Sequence, residues 1–195
     1  MTKRIVRRLA PTILLTALTL AAGFPQCQEV SPSIPHERNG KPYVAPILHP
    51  GATKPSFTLA LSPGTRSKST SEFSVGSKVR VTVKMTNITD HAIDHSGYYS
   101  DAGDMAYSYD VRDEDGQPAA KIVYEHPERV MPSPFWSDIP PGESDLDQLR
   151  LNMVYKFDRP GKYTVQVFRH DPDCLDENGK PVVVKSNTIT ITITG

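Results

Sequence analysis

Beyond residue 8 the chain has no run of Lys and Arg, and after residue 22 it has no apolar stretch as long as the one at residues 9–22. A binder of phosphate backbones needs a basic stripe, so nucleic acid is not an expected partner. No amphipathic helical period of useful length follows residue 23, which sets aside helical architectures. There is no G-x-S-x-G turn to expose a nucleophilic serine, and a chance Ser-His-Asp set has nothing to recommend it. With two cysteines and one tryptophan, the chain also lacks the paired C-x-x-C spacing of a structural zinc site.

What is there begins with Lys3, Arg4, Arg7 and Arg8, followed by fourteen uncharged residues from Leu9 to Ala22 and then Gly23. This pattern reads as a secretory signal peptide over residues 1–23, and the apolar run is short for a membrane span of about 20 residues. No transmembrane helix is expected in the mature chain, and the expected location is periplasmic or extracellular. Cleavage takes four basic residues and no acidic one, leaving about 18 Lys and Arg against 22 Asp and Glu.

Export changes what Cys27 and Cys174 mean, because an oxidising compartment permits disulfides. Three readings stand: a Cys27–Cys174 bridge pinning the N-terminal tail to the far end of the domain, a lipidated Cys27, or two unpaired thiols. The lipid reading lacks the small residue expected before such a cysteine, since Phe24-Pro25-Gln26 precedes it.

Residues 25–63 carry eight prolines and read as an extended polyproline II spacer, with residues 24–55 taken as linker or tether. From residue 56 to 195 the pattern turns to period two, the mark of half-buried strands. Phe57, Leu59 and Leu61 alternate first, then Val79, Val81, Val83 and Met85, then Met105, Tyr107, Tyr109 and Val111. Leu149, Leu151, Met153, Tyr155 and Phe157 follow, then Tyr163, Val165 and Val167, and lastly Ile189, Ile191 and Ile193. Asp115-Gly116 and Asn178-Gly179 suit type I′ hairpins, and Pro141-Gly142 and Pro160-Gly161 suit type II turns. Seven or more short antiparallel strands with one apolar face predict an all-β sandwich forming one domain.

"FDRPGKYTVQV" followed by "KSNTITITI" resembles the last hairpin of the immunoglobulin-like sandwich of secreted bacterial proteins. That likeness implies a tyrosine corner at Tyr163, whose hydroxyl bonds back to the chain just upstream. The antibody disulfide is absent, since Val165 stands at its position in that strand. A narrower likeness is to BsuPI-type proteinase inhibitor domains, carried by "YDVRDEDG" (109–116), "PPGES" (140–144) and "PGKYTV" (160–165). It implies an exposed loop, here residues 127–138, that enters a protease cleft.

Among residues able to do chemistry, His91 and His95 are four apart with Asp101 and Asp104 downstream. A metal site needs three or four converging ligands with supporting partners, so the expectation is exposed loop residues and no metal, with His91 and His95 the candidates should one exist. A blue-copper site fails because neither a histidine nor a methionine follows Cys174. "HDPDCLDENG" (170–179) is acidic but puts Leu175 where a calcium loop needs its third oxygen, and it reads as a solvated loop. Asn87-Ile88-Thr89 matches the N-glycosylation pattern and reads as accidental. Tyr98, Tyr99, Phe135 and Trp136 are the candidate recognition residues, because aromatics supply large rigid contact area.

The sequence therefore predicts an exported module without catalysis or cofactor that binds a protein or polysaccharide of the cell envelope. The alternative is a BsuPI-like proteinase inhibitor, and the more distant one a metal-binding periplasmic protein.

Overall fold

A computed structural model describes the backbone of residues 36–38 and 41–43, and residues 54–123 and 132–195 with their side chains. The chain is all-β: among the described residues there is no α-helix, and a 3-10 turn at Leu151–Met153 is the one helical element. No helix among them is long and apolar enough to cross a membrane. Within the Pro-rich stretch, β1 (His36–Arg38) and β2 (Lys41–Tyr43) pair antiparallel, where polyproline II alone is expected. Asn39-Gly40 stands between them in the sequence, a pair that favours tight hairpins.

One sheet has the order β12-β5-β3, built from β3 (Phe57–Pro63), β5 (Arg80–Asn87) and β12 (Ser144–Arg150), all antiparallel. The other is organised by β13 (Gly161–Leu175), a fifteen-residue strand. On one edge β13 meets β9 (Tyr107–Arg112); on the other it meets β15 (Ile189–Thr194) and then β14 (Pro181–Lys185). β4 (Glu72–Ser74) closes this sheet, running parallel to β15. Leu59, Val83 and Leu149 from the first sheet and Val111, Val165 and Ile191 from the second belong to one buried cluster, so both sheets depend on a shared core. Smaller pieces lie alongside: β10 (Ser133–Phe135), β7 (Gly97–Ser100) and β8 (Gly103–Asp104) form one sheet, β6 (Ile93–Asp94) and β11 (Asp138–Ile139) another.

Four expectations are corrected. The strand expected over 149–157 begins earlier, at Ser144, and Leu151–Met153 turns away; Asp145 and Asp147 occupy inward positions that an apolar pattern cannot flag. Met105, expected to be buried with Tyr107, is exposed, because β9 starts only at Tyr107. The two hairpins have three-residue loops: Gly116 and Gly179 donate to the carbonyls of Asp113 and Asp176, and those aspartates cap the loops with Oδ1. Each glycine is thus the fourth residue of its turn, not the third. Pro141-Gly142 does form the expected turn, with Glu143 donating to Pro140 and Gly142 at φ 73°, whereas Gly161 already pairs with Ile193 as the first residue of β13.

The segment 170–179 is also more strand than solvated loop. Asp171 is fully buried and accepts from the Ser56 amide at 2.6 Å and its hydroxyl at 2.9 Å, tying the domain's first described residues to β13. Cys174 is buried and is not a free thiol; Cys27 lies outside the described residues, as do residues 1–23 and residues 127–131 of the 127–138 loop.

Candidate functional site

The backbone brings four strands to one point. His95 follows β6 directly, and its amide donates to Ser137 at 2.8 Å, beside the β6–β11 pair. β8 supplies Asp104, and β12 supplies Asp147 opposite Val83 of β5, a register position facing the core. Arg169 of β13 stands opposite Tyr107 of β9 and lays its guanidinium 5.0 Å from that ring's centre.

His95, Asp104 and Asp147 are all buried, and one ligand atom from each lies within 4.8 Å of the others. His95 Nε2 is 3.2 Å from Asp147 Oδ2 and 3.7 Å from Asp104 Oδ2, yet it makes a hydrogen bond with neither. The opposite ring nitrogen, Nδ1, is 3.1 Å from Asp145 Oδ2, whose side chain is 39% exposed. Asp147 accepts from the Tyr99 hydroxyl at 2.5 Å and the Tyr107 hydroxyl at 2.7 Å. Asp104 accepts from the Ala106 amide at 2.9 Å and from Arg169. Phe135 covers the site, edge-on to His95 and 4.3 Å from the Tyr99 ring centre.

These contacts set the protonation states. Burial works against a charged His95, but the Asp104 and Asp147 carboxylates flanking it prevail and raise it to about 9. Burial likewise opposes ionised Asp104 and Asp147, and His95, with Arg169 beside Asp104 and the two tyrosines on Asp147, overcomes it and holds both below the usual carboxylate range. Burial and the Asp147 charge push the Tyr99 and Tyr107 hydroxyls up. The arrangement can hold a proton or a cation between one imidazole and two carboxylates, away from solvent.

The histidines singled out in the sequence do not converge. His91 pairs with its exposed neighbour Asp90 at 3.0 Å, and Asp101 lies at the rim, held by Arg150 at 3.2 Å. Of the four aromatics, Tyr99 and Phe135 turn toward the cluster, while Tyr98 and Trp136 are 56% and 58% exposed. Asp147, Arg169 and Asp145 escape sequence reading because a charged residue in a strand looks like its solvent face. The one available signal is that Asp145, Asp147 and Leu149 share parity.

No protein-family model and no curated protein matches the chain. Among solved structures, a β-glucosidase from Listeria innocua aligns at 16% identity and TM-score 0.36 over 82% of this chain and 19% of that one. A family 123 glycoside hydrolase from Clostridium perfringens aligns at 11% identity and TM-score 0.30 over 71% and 27%. AvmM, described as catalysing macrocyclization in alchivemycin A biosynthesis, aligns at 13% and 0.30 over 82% and 94%. The chain thus spans about a fifth of the β-glucosidase it is similar to, and likeness at this level supports no statement about fold, activity or partner.

Proposed function

We propose that the chain is an exported, non-catalytic immunoglobulin-like β-sandwich on a Pro-rich tether, and that it binds a protein partner presenting a basic surface. Support for the sandwich comes from two sheets sharing one core, with β4 running parallel to β15. The Tyr163 hydroxyl donates to the Arg159 carbonyl at 3.2 Å, the bond of a tyrosine corner. The reading without catalysis is favoured by the way the ionisable cluster faces inward, its carboxylates held by Tyr99, Tyr107, Arg169 and the Ala106 amide.

The observation that carries the binding reading is the face around β7, β8 and β10. Tyr98, Met105 and Trp136 are each more than half exposed there, and the Met105 amide donates to the Tyr98 carbonyl at 2.8 Å, so these two are neighbours. Residues 88–107 and 132–149 contain no Lys or Arg, while Asp90, Asp94 and Asp138 lie within them and Asp101 is paired with Arg150. Aromatic anchors in an acidic surround suit a partner rich in Arg and Lys, through cation–π contact and complementary charge.

The chain has one tryptophan, so fluorescence excited selectively at tryptophan reports on this face. The native chain should retain a basic protein from envelope extract that the double variant Tyr98→Ala/Trp136→Ser does not. The purified partner should quench or shift Trp136 emission, and binding should weaken as salt rises. Equal retention by both chains, or a fluorescence response to soluble envelope polysaccharide in place of protein, would overturn this reading.

A further inference from the structure

We propose that His95, Asp104 and Asp147 hold one divalent transition-metal ion of the zinc class, as a buried structural centre joining β8 and the segment after β6 to β12. This does not rest on the partner reading. The first argument is the setting of the imidazole nitrogen: His95 is fully buried, and its Nε2 stands at ion-pair distance from two carboxylates without an aligned hydrogen bond to either. The second is spacing. Metal–ligand bonds of about 2.0–2.2 Å put neighbouring ligand atoms of a tetrahedral ion roughly 3.4 Å apart, and here the imidazole nitrogen stands 3.2 and 3.7 Å from the two carboxylate oxygens.

The surrounding shell is built as metal sites are built. A ligating histidine almost always gives its second nitrogen to a carboxylate or carbonyl, and ligating carboxylates are themselves hydrogen-bonded. Asp145 holds Nδ1, Tyr99 and Tyr107 hold Asp147, and Arg169 with the Ala106 amide holds Asp104. Charge points the same way: once the ion takes the place of the Nε2 proton, the three carboxylates outnumber the Arg169 guanidinium by two negative charges, which one divalent cation cancels. Binding sends the imidazole's Nε2 proton to solvent. One imidazole with two carboxylates favours zinc-like ions over calcium, whose sites are made of oxygen. A cleft of about 500 Å³ is bounded by Ser96, Met105, Ala106 and Arg169, which neighbour His95 and Asp104 in the chain or bond to Asp104.

The test uses the full chain, stripped with EDTA and dialysed, then titrated calorimetrically with zinc chloride and separately with calcium chloride. One equivalent of zinc should bind and excess calcium should not displace it. His95→Gln and Asp147→Asn should each weaken zinc by more than about 100-fold, and Asp145→Asn by roughly 10- to 100-fold, while His91→Gln leaves it unchanged. Should the buried variants fail to fold, Asp145→Asn decides the matter, because it alters a partly exposed residue that only orients the imidazole. Cobalt provides a second readout: a visible d–d band that saturates at one equivalent in the native chain and is diminished in Asp145→Asn. The absence of zinc binding, or stoichiometric binding that His95→Gln and Asp145→Asn leave unaltered, would overturn the proposal.

Discussion

Asp147 shows what a single charge can do when it replaces an apolar residue on the inner face of a strand. It accepts from two tyrosines and faces His95, and its removal leaves the buried Tyr107 hydroxyl and the buried His95 without their partner. Asp147→Ala should therefore cost about 3–5 kcal/mol of stability, read as a lower urea midpoint. The pH profile of the metal-free chain follows from the same contacts. His95, raised from 6.5 to about 9, adds stability that is complete below pH 6.5 and lost as pH rises through 9, on the order of 3 kcal/mol in all. Asp104 and Asp147, lowered from 3.8, add stability that is present above that value and lost as pH falls further. In EDTA the urea midpoint should be highest between about pH 4 and 6.5 and should fall on either side. A midpoint that rises from pH 7 to 9.5 would contradict this account of His95.

At the scale of elements, the strands that are legible in the sequence are those whose inner face is uniformly apolar. Val81, Val83 and Met85 announce β5, Tyr163, Val165 and Val167 announce β13, and Ile191 and Ile193 announce β15. β12 is hidden because Asp145 and Asp147 share the parity of Leu149, so the strand and the site are obscured by the same substitution of charge for hydrocarbon. Exceptions to local pattern tend to gather at functional or specially constrained places. β7 and β8 are hidden for another reason: each is too short to show a period. Their approach to β12 depends on Gly103, at φ 122°, where an added Cβ would lie 2.7 Å from Leu149 Cδ2 and 3.0 Å from the Gln148 carbonyl. Gly103→Ala combines a strained backbone with a clash against a main-chain atom and should cost more than about 1 kcal/mol. Thermal unfolding compared with a Gly116→Ala control, where an added Cβ meets nothing within 4 Å, would separate the clash from the backbone strain common to both.

At the scale of the molecule, two sheets that bury their apolar faces in one cluster have no separate means of persisting. Urea unfolding followed by far-UV circular dichroism and by Trp136 emission should give coincident single transitions, even though Trp136 sits at the end of a minor sheet. A tryptophan transition at lower urea would mean that β7, β8 and β10 come away first. The same interlocking bears on Asn87, at the end of β5. It belongs to an Asn-x-Thr triplet, but it is fully buried, and its amide donates to the carbonyls of His91 at 2.7 Å and Ile139 at 2.8 Å. A cell that attaches oligosaccharide to nascent chains would reach this asparagine before the sheets close over it. The sugar would then occupy the place of those two bonds, so the choice of host in which the chain is produced becomes a condition of its folding.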